Sequence, residues 1–221
     1  MVNECLQLWG IKSSDVDLIA SHGQTIYHAP LSFHGLEKFG NGTLQIGDGD
    51  HLAVNTGIIT ISDFRQKHIA AGGEGAPLAA YGDYLLFKEV DTDVILLNIG
   101  GISNISFLPA DNTDAAMFSS DVGPGNTLMD ALIQKHFPGK HYDENGAIAK
   151  EGKINEPLLK YLLKHSFFEK QLPKTTGPEL FNLTYVDEAI LSSGIGLLSI
   201  PDLMATLNCF TGKSIVAAIQ A

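Results

Sequence analysis

The sequence predicts an α/β protein. In the first half, β-branched apolar runs such as Gly57–Ser62 (GIITIS) and VILLNI (94–99) alternate with stretches of helical spacing. A glycine pair, Gly100-Gly101, separates two apolar runs as a hairpin turn does. From about residue 138 the apolar positions recur at intervals of 3 and 4 with lysines between them, the pattern of packed helices.

Element by element, Val2, Cys5, Leu6 and Trp9 follow the i, i+3, i+4, i+7 rule and predict a first helix that stops at Gly10. Val16–Ala20 (VDLIA) reads as a buried strand running into Ser21-His22-Gly23-Gln24-Thr25. Residues 29–42, punctuated by Pro, Gly and Asn, read as loop. Thr43–Ile46 is a short strand, and Asp48–Asp50 can cap a short helix through Val54. The strand Gly57–Ser62 ends in Asp63-Phe64-Arg65. The glycine-rich turn AAGGEGAP (70–77) leads into a helix over about 77–88, with Pro77 suited to its first turn. VILLNI and ISNISFLP form the hairpin, and residues 115–120 a further strand entering Asp121-Val-Gly-Pro-Gly-Asn126. Helices follow over about 127–137, 144–151, 155–164, 184–192 and 202–219. A boundary near 89–93 divides the chain into 1–90 and 91–221.

A compact chain of 221 residues is expected to expose roughly 10,000 Å² of the roughly 34,000 Å² available unfolded. With 44% apolar and 18% charged residues, disordered and coiled-coil classes are excluded. The net charge of −11 argues against a general nucleic-acid or anionic-membrane binder, while leaving room for one local cationic site. The expected partner is a small molecule, with no nucleic acid and no membrane; a homodimer stays open. Cys5 and Cys209 form neither a CxxC nor a Cys/His cluster, which favours a reducing, cytoplasmic setting over a zinc or disulfide scaffold. The N-terminus lacks the features of a signal peptide, and no apolar run is long enough to span a bilayer.

Several segments can carry chemistry. Arg65, the only arginine, follows a predicted strand end, where a guanidinium can hold a carboxylate or phosphate or simply pair with Asp63. The amides of Gly72-Gly73-Glu74-Gly75 can meet an anion or merely turn the chain. Asn98 and Asn104 flank a glycine turn that can cradle phosphate. In Asp121-Val-Gly-Pro-Gly-Asn126, a carboxylate at a strand end and before a helix can accept a proton, its ionised form favoured by the helix field; the alternative is an N-cap aspartate. His22 and Gln24 can hydrogen-bond sugar hydroxyls. No HxxxH or HExxH pair points to a metal-activated water, and Gly212-Lys213-Ser214 lacks the rest of a P-loop. Asp121 with Asp63 as a glycosidase-like pair, and a non-catalytic sugar-binding module, are the competing readings.

SHGQTIYH (21–28), TLQIGDGDHLA (43–53), ISDFRQKHIAAGGEGAPL (61–78), LNIGGISNISFLP (97–109), DVGPGNTLMDA (121–131) and PKTTGPELFN (173–182) occur in an order and spacing that closely resembles the anhydro-N-acetylmuramic acid kinase family. The resemblance implies a two-domain kinase of the actin/Hsp70/hexokinase-like, ribonuclease H-like superfamily, using ATP and Mg²⁺. It implies a reaction in which water opens 1,6-anhydro-N-acetylmuramic acid and O6 is phosphorylated, giving N-acetylmuramic acid 6-phosphate in peptidoglycan recycling. It makes Asp121 the general base and puts Arg65 in the sugar pocket, with Asp63, His22, Gln24 and Glu74 beside it. It assigns Asn98, Gly100, Gly101, Asn104, Gly123, Gly125 and Asn126 to phosphate and nucleotide, and no side chain to metal. The family's G-T-S-x-D-G loop and its glycine-rich adenosine motif have no counterpart in these residues. The resemblance is therefore to the central portion of such an enzyme, truncated at both ends, and the 221-residue chain alone is expected to have little kinase activity.

Overall fold

The computed structural model describes residues 1–76, 78–110 and 117–221. They form a mixed α/β structure in two compact units, Met1–Gly82 and Asp83–Ala221.

The first unit opens with α1 (Val2–Trp9), closed by Gly10 in the left-handed conformation as its spacing predicts. Of the expected strand over 16–20 only β1 (Ile19–Ala20) is ordered as strand, and Leu18 is 47% exposed rather than buried. Its partner β4 (Thr60–Ile61), parallel to it, is equally short, a trimmed version of the strand expected over 57–62. Between them, β2 (Gln24–Ala29) pairs antiparallel with β3 (Gly42–Ile46), so the S-H-G-Q-T motif leads directly into an unanticipated strand. The expected loop over 29–42 holds one helical turn, α2 (Leu31–His34), and a 3₁₀ turn, Glu37–Phe39. α3 (Gly49–Thr56) starts at Asp48, whose Oδ1 accepts from the amides of Asp50 (2.8 Å) and His51 (3.3 Å), the cap its sequence promises. α4 (Phe64–Ala70) was not foreseen: Phe64-Arg65 begins a helix rather than ending a strand. α5 (Ala79–Phe87) follows the glycine turn; the expected role of Pro77 lies outside the described residues.

In the second unit β5 (Val94–Ile99), β6 (Ile102–Leu108) and β7 (Phe118–Pro124) make an antiparallel sheet in that order. β7 lies later than the strand expected over 115–120, of which residues 115 and 116 lie outside the described set. It pairs with β6 alone, so its other edge tolerates Pro124. The ladder shifts register between Ser103–Gly123 and Asn104–Asp121, leaving Val122 without a cross-strand partner. Val122 turns into the core instead, against Ile105 and Ile215.

Helices α6 (Thr127–His136), α7 (Glu156–Leu162), α8 (Leu183–Ser193) and α9 (Ile200–Ile219) match the expected positions. Over 144–151 the structure instead has two 3₁₀ turns, because Asn145 takes a left-handed φ of 58°. α9 begins at Ser199, whose hydroxyl accepts from the Asp202 amide, and buries Leu203, Leu207, Phe210 and Ser214 at helical spacing. Phe167, Phe181 and Phe210 are at most 2% exposed; Phe181 meets Tyr185 edge to face and Phe210 stacks on it, and the Tyr185 hydroxyl donates to the Leu162 carbonyl. Gly212-Lys213-Ser214 sits inside α9, so it forms no phosphate loop. Leu8, Trp9, Ile26, Tyr27, Val54 and Ile59 of the first unit are among the large apolar side chains left exposed. Both cysteines are free.

Candidate functional site

In the first unit the candidate residues gather around Arg65. Asp63 precedes α4 with φ 61° and ψ 31°, a left-handed conformation uncommon outside glycine, and the turn it makes sets Arg65 in the first turn of the helix. Arg65 Nε donates to His22 Nε2 (2.8 Å), and Arg65 Nη1 donates to the Gly75 carbonyl (2.8 Å). His22 Nδ1 lies 3.0 Å from the Gly23 carbonyl. Both His22 contacts are satisfied by one species, the neutral ring carrying its proton on Nδ1. Arg65 Nη2 has no hydrogen-bond partner among the described residues, which leaves one side of the fork free for an anion. Asp63 makes no ion pair with Arg65, so the structural pairing is not what holds the guanidinium.

The glycine turn is built against α4. The amides of Gly72 and Gly73 donate to the carbonyls of Ile69 (2.8 Å) and His68 (2.9 Å), and the Gly75 amide donates to His68 Nδ1 (3.1 Å). Those amides are therefore unavailable to an anion, and the turn serves Arg65 through the Gly75 carbonyl. Asn41 holds it from the other side, donating to the Gly73 carbonyl (3.0 Å). Glu74 is half-buried and acts electrostatically on His28 of β2. Burial, then the Arg65 charge, pull the His28 pKa below its ordinary value, with Glu74 opposing. The structure thus groups His22, Arg65 and Glu74, and adds His28. It does not bring in Gln24, whose side chain reaches only the neighbouring Thr25 carbonyl. His28 was missed because β2 was missed, although Thr25-Ile26-Tyr27 between Gly23 and Pro30 is a legible strand signal.

In the second unit the register places Asn98 opposite Asn104 and Asn104 opposite Asp121, one cross-strand row over all three strands. Further along, Ser106 donates to Asp83 (2.8 Å) and shares a hydrogen bond with Ser119 (2.9 Å). Asp121 lies within β7, not at a helix N-terminus: the N-cap of α6 is Asn126. The expected helix field is therefore not what governs it. Burial pushes the Asp121 carboxyl up from its ordinary pKa; the Thr176 amide, donating to Oδ2 (2.9 Å), pulls it down, and Glu179 adds to the rise. The Asp121 amide donates to the Lys174 carbonyl (2.9 Å), so segment 173–176 lines the open edge of β7. Thr176 and Glu179 lie in the segment PKTTGPELFN (173–182) that the sequence singles out, but nothing in it assigns either residue a place beside Asp121.

The glycines of the D-V-G-P-G segment have packing reasons. A Cβ on Gly125 would stand 2.2 Å from the Gly100 carbonyl oxygen, and one on Gly123, where φ is 151°, 2.9 Å from Ser214 Cβ. The amides of Gly125 and Asn126 donate to the carbonyls of Gly101 and Gly100 (2.8 Å each), and the Thr127 amide to Gly101 (3.1 Å). Gly125 and Asn126 therefore do not offer those amides to a ligand. The Gly100 and Gly101 amides have no acceptor among the described residues, and a Gly101 Cβ would lie 2.7 Å from Thr127 Oγ1. Two consecutive free amides beside a hydroxyl suit phosphate oxygens. No group of three or more metal-ligating side chains occurs among the described residues.

The profile of the anhydro-N-acetylmuramic acid kinase family matches residues 1–221. The chain belongs to this family. A family protein of Pseudoalteromonas atlantica named anhydro-N-acetylmuramic acid kinase is 59% identical over 220 residues, which cover 100% of this chain and 55% of the relative. Same-named relatives from Pseudoalteromonas translucida and Caldanaerobacter subterraneus are 58% identical (100% of this chain, 55% of the relative) and 40% identical (96% and 54%). The chain spans about half the length of these anhydro-N-acetylmuramic acid kinases. No helix among the described residues is long and apolar enough to cross a membrane.

Proposed function

We propose that this chain carries the sugar-handling residues and the general base of an ATP-dependent kinase. The kinase opens 1,6-anhydro-N-acetylmuramic acid with water and phosphorylates O6, giving N-acetylmuramic acid 6-phosphate for peptidoglycan recycling. The two units then belong to the remainder of a first kinase domain and the first part of a second, of the actin/Hsp70/hexokinase-like superfamily. The observation that carries the reading is Asp121: a half-buried carboxyl in the family segment D-V-G-P-G-N, one oxygen held by the Thr176 amide.

In this reading Asp121 accepts the proton of the water that attacks C1 as the C1–O6 bond breaks. Its raised pKa makes it a stronger base than an exposed aspartate. The Thr176 amide keeps the carboxylate in one orientation, so little reorganisation is needed during transfer. Arg65, already fixed by His22 and Gly75, turns its free Nη2 to the lactyl carboxylate of the sugar. Glu74, Asp63 and His28 flank it. The free amides of Gly100 and Gly101 with Thr127 Oγ1 would hold phosphate oxygens of ATP, and Asn98 and Asn104 border them. Bound ATP supplies the phosphoryl group that O6 takes. Mg²⁺ would travel with the nucleotide; the described side chains define no protein ligand set for it, and no step is assigned to it.

A glycosidase-like pairing of Asp121 with Asp63 has less support, because Asp63 is exposed and not the buried acid such chemistry needs. The reading is tested by calorimetric titration of the protein with anhydro-N-acetylmuramic acid, with and without Mg-ATP, beside Arg65→Ala and Asp121→Asn variants. Saturable sugar binding weakened by Arg65→Ala and retained by Asp121→Asn is the expected result. Absence of binding by the folded wild-type protein refutes it.

A further inference from the structure

The segment Pro173–Glu179 touches the proposed base, yet its side chains have no assigned part. It is laced to β7 at two points. The Ser120 hydroxyl donates to the Lys174 carbonyl (3.1 Å) and accepts from the Lys174 amide (2.9 Å), and the Asp121 amide also donates to the Lys174 carbonyl (2.9 Å). Lys174 is itself anchored, its Nζ donating to the carbonyls of Phe167 and Lys170 (3.1 Å each) over the Phe167 ring. Thr176 then delivers its amide to Asp121 Oδ2 (2.9 Å).

The Thr176 hydroxyl is different. Oγ1 is buried from solvent and has no hydrogen-bond partner, the one such side-chain atom found among the described residues. A hydroxyl in that state is destabilising and calls for an explanation beyond the bonds of the fold, a bound ligand among them. Oγ1 is joined through Cα and Cβ to the nitrogen that holds Asp121, which keeps the hydroxyl close to the carboxylate. Glu179 adds to the setting: its carboxylate folds back over Gly177, where a Cβ would stand 2.2 Å from Oε2. The next residue along from the hydroxyl is thus bare backbone beneath an acidic group.

We propose that Thr176 is a ligand-binding residue: its amide fixes Asp121 while its hydroxyl hydrogen-bonds a hydroxyl of the bound sugar beside that carboxylate. This rests on the reading of Asp121 as the base of a sugar site. The guest is a polyhydroxylated small molecule, whose hydroxyl can both donate to and accept from Oγ1.

The test compares Thr176→Val, which keeps shape and removes the hydroxyl, with Thr176→Ser, which keeps it. Thermal unfolding and calorimetric titration with anhydro-N-acetylmuramic acid are run on both and on wild type. The expected result is a Thr176→Val midpoint equal to or above wild type, sugar affinity weakened about tenfold, and affinity restored in Thr176→Ser. A lowered Thr176→Val midpoint overturns the proposal, because the hydroxyl then has a structural partner. Unchanged affinity in Thr176→Val, with Arg65→Ala still weakening binding, overturns this proposal alone. No sugar binding by wild type overturns it together with the sugar-site reading.

Discussion

Replacing Gly125 by alanine tests the packing of the hairpin turn against α6. The new Cβ would meet the Gly100 oxygen at 2.2 Å, the Gly100 carbon at 3.1 Å and Ser103 Oγ at 3.1 Å. Relief requires the turn to retreat by about 1 Å, since a methyl and an oxygen rest at roughly 3.2–3.4 Å. The same retreat stretches the three bonds that Gly101 and Gly100 accept from the amides of residues 125–127, now 2.8, 2.8 and 3.1 Å. At about 1 kcal/mol each these contribute about 3 kcal/mol, and residual overpacking adds about 1–2 kcal/mol. The expected loss of about 4–5 kcal/mol is a large part of a typical ~5–15 kcal/mol stability. Gly212→Ala is the matched control. Gly212 is exposed in the interior of α9 with nothing within 4 Å of an added Cβ, so alanine should stabilise by about 0.5–1 kcal/mol. Urea unfolding followed by far-ultraviolet circular dichroism measures both. A Gly125→Ala loss below about 1 kcal/mol would refute the reasoning, as would equal losses at the two sites.

Other perturbations have expected outcomes of their own. Phe210→Ala removes a fully buried ring from the helical core and should cost about 3–5 kcal/mol in the same urea experiment. Arg65→Ala should weaken sugar binding about 10- to 100-fold in calorimetry, and Arg65→Lys should not restore it, because lysine cannot reproduce the bonds to His22 and Gly75 together. Asp121→Asn should leave the fold intact by circular dichroism and retain saturable sugar binding in calorimetry. The folded pKa of Asp121 is raised, so between the ordinary carboxylate pKa and that raised value the folded state holds the proton more tightly. Its ionisation therefore costs stability as pH rises through this window. Asp121→Asn should accordingly match wild type in acid and unfold at a higher temperature at neutral pH; a variant less stable at neutral than at acid pH, relative to wild type, contradicts the burial of the charge.

Much of the second unit was legible because its signals are local and repeated. α9 reads directly from Leu203, Leu207, Phe210 and Ser214, and the hairpin from two apolar runs around two glycines. The hairpin turn lies where expected, but neither Gly100 nor Gly101 has a positive φ: a Cβ on Gly101 would stand 2.7 Å from Thr127 Oγ1, whereas one on Gly100 would meet only ordinary contacts. The first unit was less legible. VDLIA has the composition of a buried strand, but Leu18 stays 47% exposed, and burial is not a property of five residues. Arg65 stood out as the lone arginine, whereas its hold on His22, 43 residues away, exists only in the folded chain.

By itself the sequence determined the α/β class, the caps at Asp48 and Gly10, the helices of the second half other than the one expected over 144–151, and the motifs that mark the family. Each of these follows from spacing along the chain or from residue identity. Only the tertiary structure decided that Asp121 lies in a strand with its pKa raised by burial, that the amides of Gly72, Gly73 and Gly75 are spent on α4, and that Thr176 stands beside the carboxylate with a hydroxyl that has no partner among the described residues. Those are facts about desolvation and about partners distant in sequence, and no local pattern encodes either.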